Sequence, residues 1–148
     1  MARFEMTQFI EAPVERVFQL ASDVPNCHQR ISGIVRVEML TDGPIGVGAR
    51  WRETRRFGKH EAVETLSMIE FEPNRRYTVA CNSCGCAYRT TFHFQPAGRG
   101  TNVRLEMDAR PVTLFARVLS PITGLIFGPM MKKCMRKDLE DLKSAAQK

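Results

Sequence analysis

The run VTLFARVLSPITGLIFGPMMKKCMRKDLEDLKSAAQK, residues 112–148, is the one stretch of the chain long enough for a long helix. Phe127, Met131, Cys134, Met135, Leu139, Leu142 and Ala146 fall at steps of three and four and make a single apolar stripe. On this reading Lys132, Lys133, Lys137, Asp138, Asp141 and Lys143 occupy the other side. Almost everything before this stretch reads as alternating strands joined by tight turns. One long amphipathic helix after a run of antiparallel strands predicts an α+β domain, a seven-stranded antiparallel sheet curved around the C-terminal helix.

Working back from the helix, residues 49–109 are a meander. Gly58-Lys59, Pro73-Asn74, Cys84-Gly85 and the stretch from Ala97 to Gly100 punctuate it. With Gly58-Lys59 as a two-residue turn, Phe57 pairs with His60, Arg55 with Ala62, Glu53 with Glu64, and Trp51 with Leu66. A turn at Pro73-Asn74 sets Met68 opposite Val79 and Leu66 opposite Cys81. The turn at Cys84-Gly85 sets Cys81 opposite Tyr88, Val79 opposite Thr90 and Tyr77 opposite Phe92. A loop from Gln95 to Asn102 sets Phe92 opposite Leu105 and Thr90 opposite Met107. The apolar residues stay on one face through all four hairpins, and a slip of one residue anywhere breaks that agreement.

Two strands remain upstream. Phe4, Met6 and Ile10 alternate with Arg3, Glu5 and Thr7, and Val35, Val37 and Met39 alternate with Arg36 and Glu38. Between them Pro13 opens a short amphipathic helix on Val14, Val17, Phe18 and Ala21, and a second short helix covers Pro25 to Ile31. The whole of 1–148 reads as one domain.

Composition narrows the function. Hydrophobic content of 43% and charged content of 26% are those of a globular protein. A net charge of +6 is compatible with anionic partners, but there is no block of like charge and no interleaving of aromatic with basic residues, so nucleic acid is not expected. The opening MARFEMTQFIEAP is too polar for an export signal. Five cysteines then read as free thiols in a reducing cytoplasm. The apolar run from Val112 to Met131 is interrupted by Arg117, Pro121, Gly124 and Pro129, so stable membrane insertion is not expected.

The face that should meet the helix is not wholly apolar. It carries Glu53, Arg55, His60 and Glu64 beside Trp51 and Leu66. Buried charges require partners, and Arg55 is placed to bridge Glu53 and Glu64. A carboxylate left without its own cation would hold its proton and could act as acid or base; the alternative is a structural ion pair at the mouth of the sheet. Cys81, Cys84 and Cys86 at a hairpin tip have half the shape of a zinc knuckle. No second half exists, with only Cys27, His28 and Cys134 elsewhere, and no metal is expected. Tyr77, Tyr88, Thr90, Phe92, Met107 and Trp51 from the sheet, with Phe115, Met131 and Met135 from the helix, line the space between the two. They either fill it as core or border a cavity.

FIEAPVERVFQLASDVPN, GVGARWRETRRFGKHEAVETLSMIEFEPNRR, and GRGTNVRLEMDA followed by PMMKKCMRKDLEDLKS resemble the START-like helix-grip superfamily, including its polyketide cyclase/dehydrase-type bacterial members. The resemblance covers nearly the whole chain. It implies a cavity under the helix, and hence binding of a lipid, polyketide or isoprenoid without any cofactor. In that case Trp51, Tyr77, Tyr88, Phe92, Met107, Phe115, Met131 and Met135 supply apolar contact. Glu53, Arg55, His60, Glu64 and Thr90 orient a polar end. A cyclase or dehydratase is the enzymatic alternative, with Glu53 or Glu64 as general base and Arg55 or Tyr88 polarising a carbonyl. A third reading is a protein-interaction module, monomeric or homodimeric, presenting Lys132, Lys133, Arg136 and Lys137.

Overall fold

The computed structural model describes residues 2–83 and 86–148, and for residues 2, 83 and 114–128 the backbone alone. The strands are β1 (Ala2–Ile10), β2 (Ile34–Met39), β3 (Arg50–Phe57), β4 (His60–Glu72), β5 (Arg76–Ser83), β6 (Cys86–Ala97) and β7 (Gly100–Pro111). They form one open antiparallel sheet in the order β1-β7-β6-β5-β4-β3-β2. Helix α1 (Val14–Ser22) and a 3-10 helix (Val24–Gln29) link β1 to β2, and α2 (Leu114–Ala146) closes the chain. This is the helix-grip architecture expected from the sequence. Among the described residues no helix is long and apolar enough to cross a membrane.

The hairpin register is as expected at Trp51 with Leu66, Glu53 with Glu64, Leu66 with Cys81, Val79 with Thr90 and Thr90 with Met107. Three local features differ. Pro73 and Asn74 do turn the chain, with Asn74 at a φ of 64° and the Arg75 N–H donating to the Glu72 carbonyl. Arg75 is nevertheless an extra residue, so Glu72 lies opposite Arg76. A second irregularity between Met68 and Glu70 removes the offset and restores the Met68–Val79 pairing. The loop expected from Gln95 to Asn102 is only Gly98 and Arg99, since the ladder runs on to Ala97 and Gly100. A bulge between Ile34 and Arg36 turns Val35 out to solvent and Ile34 into the core, against the alternation expected of Val35 with Val37 and Met39.

The core lies under the C-terminal half of α2. Met135, Leu139, Leu142 and Ala146 are buried there against Ile10, Val17, Phe18, Met68, Val103 and Leu105. Phe127 of the expected stripe lies outside the described side chains. The helix end is tied down by polar contacts. Arg16 Nε donates to the Ala146 carbonyl at 2.8 Å, and the Glu11 N–H donates to Gln147 Oε1 at 2.8 Å. In the last turns of the helix, Asp141 accepts from the Ser32 N–H at 2.9 Å and hydroxyl at 2.8 Å, which joins α2 to the segment before β2. Partial burial raises the Asp141 pKa, but these donors and Lys137 win and hold it below the ordinary carboxylate value.

Candidate functional site

The concave face of the sheet divides in two. One part is packed solid. Phe18 of α1 meets Phe71, Tyr77 and Phe94 edge-on, and Tyr77 stacks on Phe92 with ring centroids 4.9 Å apart. The Tyr77 hydroxyl donates to the Ala21 carbonyl at 3.2 Å, and burial raises its pKa. Tyr77, Trp51 and Met135 are buried in this core, one of the two places the sequence left open to them. Trp51 is buried, and among the described residues its Nε1 has no hydrogen-bond partner.

The other part, on the same strands nearer the β5–β6 turn, is only half-buried. Leu66, Val79, Tyr88, Thr90, Phe92 and Met107 all keep part of their surface accessible, and Leu66, Val79, Phe92 and Met107 pack against the edge of the core. From α2, Met131 and Cys134 are half-buried as well. Phe115, expected here, lies outside the described side chains, as does Cys84 of the cysteine motif. Cys27, Cys81, Cys86 and Cys134 are free thiols. Among the described residues no group of three His, Cys, Asp or Glu side chains is placed to hold a metal ion.

The charged cluster forms at the β3 side of this region. Arg55 Nε donates to Glu53 Oε2 at 3.4 Å, and Arg55 Nη1 to Asp138 Oδ1 at 3.0 Å. The three side chains keep only 15 to 21% of their surface exposed. Arg55 thus bridges two carboxylates, but the second belongs to Asp138 of α2 rather than to Glu64. Glu64 sits opposite Glu53 across the hairpin and accepts from the Cys81 thiol at 3.6 Å. His60 is exposed at the hairpin tip, away from the cluster expected of it. Gly33 closes the cluster from the β2 side, where an added Cβ would stand 3.2 Å from Arg55 Nη1.

Asp138 is the residue that sequence reading misplaced. Treating every charge on the helix as outward-facing hid it. Its spacing carried the signal, because Met131, Cys134, Asp138 and Leu142 follow one another at steps of three and four. Two carboxylates sharing one guanidinium leave one negative charge in excess. Burial raises the Glu53 carboxyl, with Asp138 and Glu64 adding to the rise and Arg55 opposing it. Burial likewise raises Asp138, against Arg55. Of the two, Glu53 has the longer bond to Arg55. The neighbouring thiols hold their protons more tightly than usual: burial and the adjacent Glu53 push Cys27 up to about 12, and burial with Glu64 pushes Cys81 up to about 12.

These shifts set a pH dependence. A carboxyl raised on folding binds more protons in the native than in the unfolded state, so stability falls as pH rises from its ordinary value, 4.5 for Glu53, through its folded one. Asp141 acts in the opposite sense and only below its ordinary 3.8. Wild-type urea midpoints should therefore drop as pH rises above the ordinary value of 4.5, and Glu53→Gln should flatten that drop. Parallel pH profiles for the two proteins would show that Glu53 ionises normally.

A family model for polyketide cyclase/dehydrase and lipid transport matches residues 1–147. Among solved structures, the fold is similar to the di-domain ARO/CYC BexL from the BE-7585A biosynthetic pathway, with a TM-score of 0.82 and 16% identity over 99% of this chain and 50% of that one. It is similar to a START superfamily protein from Mycobacterium smegmatis, with a TM-score of 0.80 and 15% identity over 97% of this chain and 96% of that one. Norcoclaurine synthase from Thalictrum flavum has a TM-score of 0.68 and 15% identity over 97% of this chain and 85% of that one. At such identities the likeness is one of fold. No curated protein matches the chain.

Proposed function

This chain belongs to the polyketide cyclase/dehydrase and lipid transport family, and from that premise we propose that it binds a small apolar or amphipathic molecule between the concave face and α2. The observation that carries the reading is the half-buried apolar strip of Leu66, Val79, Phe92 and Met107, which adjoins a close-packed core on one side and a buried ion cluster on the other. An apolar wall ending on a few fixed polar groups is the usual make-up of a ligand site. Tyr88 and Met131 extend the wall, and Met adapts to varied apolar shapes. Lipids, polyketides and isoprenoids all fit that description.

Carriage needs only the volume. A second reading, cyclase or dehydratase chemistry, is favoured by the raised carboxyl of Glu53 beside Arg55. A carboxyl that holds its proton more tightly than usual can exchange it with a bound carbonyl or hydroxyl, and Arg55 would stabilise developing negative charge. Fold alone does not choose between the two.

Phe92→Trp tests the shared premise. Phe92 already stacks on Tyr77, so a larger ring extends into the strip without unseating the core. Uptake of an environment-sensitive apolar dye should weaken by about tenfold, the equivalent of about 1.4 kcal/mol, with an unchanged unfolding transition. Wild-type protein that takes up no dye, and carries no small molecule in native mass spectrometry straight from cells, would end the ligand-binding reading.

A further inference from the structure

The two edges of the sheet are not alike. β2 is short, with six residues, and is bulged between Ile34 and Arg36. β1 pairs with β7 at all nine positions without a shift, and among the described residues no strand lies on its other side. A long regular edge offers alternate N–H and C=O groups to a further strand unless charges or a covering element guard it. The charges of β1 are spent elsewhere. Arg3 reaches Glu106 at 3.5 Å and Asp108 at 3.8 Å, and Glu5 meets Arg104 at 3.8 Å, all across β7 rather than over the free edge. α2 runs beside that edge: Lys132 Nζ is 5.7 Å from the Phe4 ring, and further on Gln147 accepts from the Glu11 N–H. From Phe4 to Glu11 the strand advances about 23 Å, and from Lys132 to Gln147 the helix advances about 23 Å, so the two travel side by side in the same direction.

Between them is a groove of about 320 Å³ lined by Met6, Thr7, Gln8, Arg136, Leu139 and Glu140. Met6 and Gln8 turn toward α2 and Thr7 turns away, so contact with all three brings the groove to the strand backbone. Lys132, Arg136 and Glu140 are exposed along its helix side at steps of four. Among the described residues none of these three is in an ion pair: Lys132 rests by the Phe4 ring, and the neighbouring Lys137 is bonded to Asp141 at 3.0 Å. Residues 114–128, toward the other end of the helix, hold one charged residue, Arg117, and no carboxylate. Four helical residues advance about 6 Å and two strand residues about 6.8 Å. Alternate residues of an extended chain can therefore meet the row of two cations and one anion in turn. We propose that an extended segment of another protein adds to the free edge of β1, antiparallel to it, as an eighth strand. A basic residue of the segment faces Glu140, and acidic residues two and four positions later face Arg136 and Lys132. Main-chain bonds supply the affinity and the charge row fixes direction and register. The groove is separate from the apolar strip, so the proposal is independent of the ligand-binding reading.

The test is fluorescence anisotropy at low salt with two labelled peptides of one composition, centred on Lys-Val-Glu-Val-Glu and on Glu-Val-Glu-Val-Lys. Equal composition cancels the long-range attraction of a chain with net charge +6. The first peptide should bind about tenfold tighter, the scale of two exposed charge pairs turned from attraction to repulsion. Lys132→Glu combined with Glu140→Lys leaves the net charge unchanged and should invert that preference. N-methylation of one set of alternate residues in the first peptide should abolish binding, and N-methylation of the other set should leave it intact, the signature of pairing along one strand edge. Apolar dye uptake should be the same in the variant as in wild type. Absence of binding by either peptide at about 1 mM overturns the proposal. So do equal affinities for the two peptides, a preference that the exchanged charges do not invert, and indifference to both N-methylated sets.

Discussion

Arg55→Met is expected to lower the unfolding free energy by about 3 to 5 kcal/mol at neutral pH. The reason is what the substitution leaves behind. Arg55 is the shared partner of Glu53 and Asp138, at 3.4 and 3.0 Å, and it ties β3 to α2. Methionine keeps much of the apolar stem but strands two carboxyls in a site that burial already makes unfavourable for their charged forms. Part of the loss should return as pH falls and both carboxyls take up protons. Glu64→Gln should by contrast cost less than Arg55→Met, because Glu64 is not one of the two carboxylates bonded to Arg55 and Gln keeps an acceptor for the Cys81 thiol. Urea unfolding of the three proteins measures both. An Arg55→Met midpoint equal to wild type would mean that the cluster is solvated at the rim, and it would then cease to be a candidate site.

The reach of the sequence can be judged from the same residues. The concave face was legible because two-residue turns and strict alternation leave few registers that keep Trp51, Leu66, Val79, Phe92 and Met107 together. The bulges at Val35 and between Met68 and Glu70 were not legible. A bulge is set by how two strands twist against each other, and no single residue marks it. Glu53 and Arg55 were found because they interrupt an apolar face in a strand, where the period is two. Asp138 was missed because a helix stripe is broad, and a charge at its margin can turn either way. Only a partner decides, and that partner is on a strand 83 residues earlier in the chain. The division of the concave face into a packed part and a half-buried part was likewise hidden, since Tyr77 and Phe92 have similar side chains on neighbouring strands and differ in what packs over them.

That division predicts opposite behaviour for two positions on one helix. Leu139→Ala should cost about 3 kcal/mol or more, because Leu139 is 2% exposed in the close-packed core and truncation there leaves a cavity. Met131→Ala, two turns earlier on a half-buried position, should cost about 1 kcal/mol. In dye binding the order should reverse. If Met131 extends the wall as proposed, its truncation should change affinity for an apolar dye, while Leu139→Ala, assayed where it is still folded, should bind as wild type does. The physical basis is that α2 serves two ends with different needs. Its C-terminal half holds the sheet through Met135, Leu139, Leu142 and Ala146 and is anchored by Arg16 and Ser32. The preceding turn carries Met131 and Cys134, which stay half-buried. Equal stability losses at Leu139 and Met131, with dye affinity unmoved by either, would mean that the helix packs uniformly and that the strip is ordinary core.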